Sequence, residues 1–121
     1  MKLLVVDDSS VIRKIIKATA DVLQMETIEA QDGIEALEIL SKIHNEIDLV
    51  LLDWNMPEMS GYEVLVEIKN NSIYKNIPVM MVTTEGQKSN IVAAVRAGAS
   101  NYLTKPFTVE ELEEKILECI G

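Results

Sequence analysis

The sequence predicts an α/β fold, a doubly wound (βα)5 arrangement in which a five-stranded parallel sheet carries helices on both faces. Three observations point there. Five short apolar segments alternate strictly with five amphipathic ones along 121 residues, the pattern of a parallel sheet built through right-handed crossovers. The first, third and fourth apolar segments are nearly continuous, as strands buried on both faces are. Polar residues gather where these segments stop, at what would be the carboxyl ends of the strands, the side on which open α/β sheets bind ligands.

The elements follow in order. "KLLVVD" is the first strand, and "SSVIRKIIKATADVLQ" the first helix, with Ser9 or Ser10 as N-cap and Val11, Ile15 and Val22 beside Ile12, Ile16 and Leu23 on an inward stripe. "ETIEAQ" is a weak second strand, followed by the helix "DGIEALEILSKI", whose inward residues are expected to be Ile34, Leu37 and Ile43. "DLVLLD" is the third strand; a turn containing Asn55, Pro57 and Gly61 leads to the helix "SGYEVLVEIKNN". "IPVMMVTT" is the fourth strand, and "QKSNIVAAVRAG" a helix closed by Gly98, a residue suited to a left-handed C-terminal cap. "SNYLTKP" makes the fifth strand. The last helix, "TVEELEEKILECIG", takes Thr108 as cap and turns Val109, Leu112 and Ile116 inward. Without repeats or linkers, residues 1–121 read as one domain, with no output domain to carry a second function.

Composition narrows the functions. A formal charge of -9, from 20 acids against 11 bases, excludes the basic footprint that holds phosphate backbones, so no nucleic-acid partner is expected. The apolar runs, such as Leu3 to Val6, are too short to span a bilayer and no signal sequence precedes the first strand, so a cytoplasmic monomer without membrane contact is expected. Cys119, the one cysteine, reads as a packed thiol, His44 as an inert loop residue, and Met56 and Met59 as loop packing.

The chemistry sits at the strand ends. Strand one stops at Asp7 and Asp8, strand three at Asp53, strand four at Thr83 and Thr84, strand five at Thr104 and Lys105. Three carboxylates a few ångströms apart repel one another and call for a proton or a cation. With only oxygen ligands available, a hard divalent ion such as Mg2+ fits better than zinc. Lys105 is expected to pair with Asp53. Asp53, ending a buried strand, is then a candidate nucleophile for a phosphoryl group, with Mg2+ and Lys105 neutralising the charge that builds up in transfer.

Together "VVDDSS", "LLDWNMPEMSG", "MVTTEG" and "YLTKPF" closely resemble the receiver domains of two-component response regulators, over the whole chain. The resemblance implies a flavodoxin-like receiver fold with strand order 2-1-3-4-5. It implies Asp53 as phosphoacceptor, with Asp8 binding Mg2+ directly, Asp7 through water and Asn55 through its backbone carbonyl. Thr83 corresponds to the switch hydroxyl, Lys105, before a cis Pro106, to the lysine that bonds the phosphoryl group, and Tyr102 to the aromatic that swings inward. Asn55 and Glu85 occupy positions that tune phosphoryl lifetime.

The function so implied is a phosphorylation switch rather than a turnover enzyme: it assists its own phosphorylation by a histidine kinase and its own dephosphorylation, with a phosphatase as a further partner. The changed face, around Lys88, Ile91, Val95, Tyr102 and Lys115, would bind the flagellar motor switch in chemotaxis. The alternatives are another phosphorelay or a binding module that works without phosphorylation. A flavin carrier needs a glycine- and hydroxyl-rich loop where this chain has "DDSS", whose acids repel a phosphate. A phosphohydrolase of the haloacid dehalogenase type needs a second aspartate where this chain has Asn55.

Overall fold

The computed structural model describes residues 1–121, and its elements run β1 (Lys2–Val6), α1 (Ser10–Val22), β2 (Glu26–Ala30), α2 (Gly33–Ile43), β3 (Leu49–Leu52), α3 (Gly61–Asn70), β4 (Val79–Thr83), α4 (Lys88–Ala97), β5 (Asn101–Thr104) and α5 (Val109–Ile120). The strands form one sheet in the order β2-β1-β3-β4-β5, and every neighbouring pair is parallel. This is the predicted architecture. One element went unread: a short 3-10 turn at His44–Glu46, where the His44 ring lies 5.4 Å from that of Tyr74.

The period of two along the strands divides the interior into two layers. Leu4, Val6, Val50, Leu52, Val79 and Met81 face α2, α3 and α4, packing on Leu40, Leu65 and Ile68 among others. Leu3, Val5, Leu49, Leu51, Met80 and Val82 point the other way, onto Ile16, Ala20, Leu112 and Ile116 of α1 and α5. Met56 and Met59 pack against the first layer, as expected of loop residues. The edge strand β2 is different, with Glu26 and Glu29 exposed and only Ala30 fully buried.

The helix ends obey their caps. Ser9 accepts the Ile12 N–H at the start of α1, Thr108 and Glu111 form a reciprocal capping box at α5, and Gly98 takes the left-handed φ of 112° after α4. The expected inward stripes need correction. Val11, Ile15 and Val22 are exposed, at 63%, 39% and 72%; α1 instead buries Ile16, Thr19 and Ala20, with Ile12 and Leu23 half-buried. Its apolar residues span more of the helix than the sheet can cover, and those three lie about a quarter turn aside. Ile34 and Val109 are also exposed, each in the first turn of its helix beside the sheet rim, while Leu37 and Ile43 are half-buried and Leu112 and Ile116 fully so.

Candidate functional site

Four parallel strands deliver their last residues to one rim. β1 hands on to Asp7 and Asp8, β3 to Asp53, β4 ends in Thr83 and β5 leads to Lys105, whose bond to Pro106 is cis. The strands are hydrogen-bonded in fixed register, Val6 opposite Leu52 and Thr83 opposite Thr104, so the positions of these side chains are set by the buried sheet rather than by loops.

Asp7, Asp8 and Asp53 each bring one carboxylate oxygen within 4.8 Å of the others. Asp7 and Asp53 are buried, at 2% and 6% exposure, and Asp8 is open to solvent. Lys105 reaches in between, its Nζ 2.8 Å from Asp7 Oδ2 and 3.6 Å from Asp53 Oδ2. Its closer partner is therefore Asp7 rather than the expected Asp53, although it stays within ion-pair distance of both. The other Asp7 oxygen accepts the Ser9 N–H at 2.9 Å, and Arg13, paired with Glu29, donates to the Asp7 carbonyl at 2.6 Å. Asp7 is thus held on three sides.

Burial, and then the neighbouring Asp7 carboxylate, push the Asp53 carboxyl above the ordinary carboxylate value, against the opposing pull of Lys105, the Thr83 hydroxyl and the Trp54 N–H. One lysine is not enough to compensate the acids. An oxygen-only donor set open to solvent at Asp8 fits a hard divalent cation.

Beside the carboxylates, Thr83 is fully buried, and its hydroxyl accepts the Glu85 N–H at 3.3 Å. The Tyr102 hydroxyl donates to the Glu85 carbonyl; the ring is half-buried, and burial followed by Glu85 and Asp53 raises its pKa, so it stays a donor at neutral pH. The Glu85 carboxylate accepts from Asn55 Nδ2 at 2.8 Å and Asn90 Nδ2 at 3.2 Å. Glu85 therefore ties the loop after β3 to α4 across the mouth of the rim. Of the remaining expected residues, Lys88 and Val95 are exposed and Ile91 and Lys115 half-exposed on α4 and α5. Cys119 is half-buried with its thiol pushed up by burial.

Two residues escaped the sequence reading, Arg13 and Asn90, and so did the close packing of Gly61. The Gly61 N–H donates to the Trp54 carbonyl at 2.7 Å, and a Cβ there would stand 1.8 Å from the Asp53 carbonyl oxygen. The turn signal had marked Gly61, but not its contact with the backbone of Asp53. Gly61→Ala is expected to lower stability by about 2–4 kcal/mol and displace the Asp53 loop, measurable as a lower urea midpoint with altered Trp54 emission; native values for both would show that the loop gives way without cost.

Residues 3–117 match the family described as response regulator receiver domain. The CheY1 chemotaxis protein of Helicobacter pylori is 45% identical over all of this chain and 98% of its own. A chemotaxis protein CheY homolog of Campylobacter jejuni is 44% identical over all of this chain and 93% of its own. Among solved structures, chemotaxis protein CheY4 of Vibrio cholerae superimposes with a TM-score of 0.87 at 35% identity, covering 99% of this chain and 98% of that one.

Proposed function

The chain belongs to the response regulator receiver family, and from that premise we propose that it is a phosphorylation switch whose Asp53 accepts a phosphoryl group from a histidine kinase. The observation that carries this reading is the rim itself: a buried carboxylate with a raised pKa, two further acids within 4.8 Å, and one lysine between them.

An Asp53 oxygen forms the new bond to phosphorus as the bond to the donor imidazole breaks, in line and opposite. Asp8 and Asp53, with Asp7 through water and the Asn55 carbonyl, would hold Mg2+, which supplies charge neutralisation for the transferred group. Lys105 turns from the carboxylates to the phosphoryl oxygens, and Thr83 offers them its hydroxyl. Asn55 and Glu85, hydrogen-bonded to each other over the rim, control how water reaches the phosphoryl group in the return hydrolysis.

The output follows from the same contacts. As Thr83 turns to the phosphoryl group it gives up the Glu85 N–H, and the Tyr102 hydroxyl on the Glu85 carbonyl carries the change to α4 and β5. The face around Lys88, Ile91, Val95, Tyr102 and Lys115 then gains affinity for its partner. Relatives at 44–45% identity named as chemotaxis proteins favour the flagellar motor switch as that partner; the acting form in this proposal is a cytoplasmic monomer.

Incubation with acetyl phosphate, followed by intact-protein mass, tests the reading. A single phosphoryl adduct that requires Mg2+ is expected. No adduct, or one that forms equally without the metal, refutes it and leaves a binding module that works without phosphorylation.

A further inference from the structure

We propose that the solvent side of α3 is a second docking surface, a groove for a basic amphipathic helix of a partner protein, separate from the face of α4, β5 and α5. The proposal does not depend on the phosphorylation reading.

The helix α3 buries Gly61, Val64, Leu65 and Ile68, which satisfies its contact with the sheet. Yet Met59, Tyr62 and Val66, spaced at three and four residues, line an open groove of about 290 Å³ on its other side, and the remaining lining residues are Glu63 and Glu67. Met59 thus does more than pack its loop. Apolar residues at helical spacing on an open face are the imprint that a partner helix reads.

The charges say what kind of helix. Glu63 and Glu67, and Glu58 just before Met59, are exposed, and no lysine or arginine lines the groove. Five surface acids elsewhere have cations, Glu26 and Glu46 on Lys2, Glu29 on Arg13, Asp21 on Lys17 and Glu118 on Lys115, while others, such as Glu110, Glu113 and Glu114 of α5, have none but line no apolar groove. The three acids of α3 and its loop have none. An apolar floor with an uncompensated acidic rim complements a helix with an apolar stripe flanked by lysines or arginines.

The groove also communicates with the rim. Tyr62 stacks on Trp54, with ring centroids 5.2 Å apart and planes at 27°, and Trp54 directly follows Asp53. An occupant pressing on Tyr62 would be sensed at Trp54, the only tryptophan.

The probe is a synthetic helix of about 14 residues with leucine on one face and lysine on the other. A saturable change in Trp54 emission is expected with it, and none with a lysine–serine peptide of equal charge or a leucine–glutamate peptide. Combining Glu58→Gln, Glu63→Gln and Glu67→Gln should weaken binding about tenfold, because each exposed ion pair is worth a factor of about 1.5 to 5. Glu63 also accepts the Ser60 N–H in the capping box that opens α3, a role that glutamine keeps. An equal change of net charge on α5, Glu110→Gln with Glu113→Gln and Glu114→Gln, should leave affinity within about twofold. The proposal is overturned by no saturable change, by equal binding of the lysine–serine peptide, or by the α5 variant weakening binding as much as the α3 variant.

Discussion

A chain carrying Asp53→Asn is expected to take up no phosphoryl group from acetyl phosphate at any Mg2+ concentration, yet to unfold at a higher urea concentration than the native chain at neutral pH without metal. The loss is total because no other rim carboxylate is placed to substitute: Asp7 is engaged by Lys105 and the Ser9 N–H, and Asp8 faces solvent. The gain has the opposite origin. Burial and Asp7 raise the Asp53 pKa above its unfolded value, so its stabilising contribution is complete below the unfolded pKa and is lost as pH rises through the folded one. At neutral pH the native chain therefore carries a charge that its fold disfavours. Asparagine removes it, for a gain on the order of 1 kcal/mol, and the gap between the two chains should narrow as pH falls into the mildly acidic range. A surviving adduct, or a variant less stable than the native chain, contradicts this account.

Lys105→Met should move stability the other way. The lysine side chain is 14% exposed, against 3% for Asp7 and 8% for Asp53, so this is a largely buried ion pair, where loss of one partner costs about 3–5 kcal/mol. Methionine retains much of the apolar stem, which isolates the effect of charge. Without its cation the rim should bind Mg2+ more tightly, since lysine and metal compete for the same carboxylates, and saturating Mg2+ should restore much of the lost stability. The rate of adduct formation should nevertheless fall by about 10²-fold, the usual loss when one charge-stabilising donor is removed from a transfer site. Urea midpoints with and without Mg2+, together with the time course of the mass adduct, measure both effects. An unchanged midpoint without metal would mean that the rim does not need Lys105 to fold.

What the sequence makes legible here is local or periodic. Ser9, Thr108 and Gly98 announce helix ends because caps act within a few residues. The unbroken apolar runs of β1, β3 and β4 announce burial on both faces, and their ends place Asp7, Asp53 and Thr83 at one rim. What is hidden depends on distance in three dimensions. Periodicity shows that α1 has an apolar arc but not which part the sheet covers, so Val11 and Val22 look like core residues and are not. The preference of Lys105 for Asp7 over Asp53 is a matter of 2.8 Å against 3.6 Å, decided by side-chain reach across 98 residues. Gly61 is readable as a turn, but its approach to the Asp53 carbonyl exists only once β3 and α3 have docked.

The exposed acids of β2 affect how the protein behaves when it is crowded with copies of itself. An open parallel sheet leaves its outer strands with unused backbone donors and acceptors, ready to recruit a like strand from another molecule. On the β2 side such a recruit would meet Glu26 and Glu29, and the net charge of -9 repels it before contact. The opposite border, β5, offers only Asn101–Thr104, too short a template to hold an invader. Both borders of the open sheet thus resist edge-to-edge pairing without a cap over either.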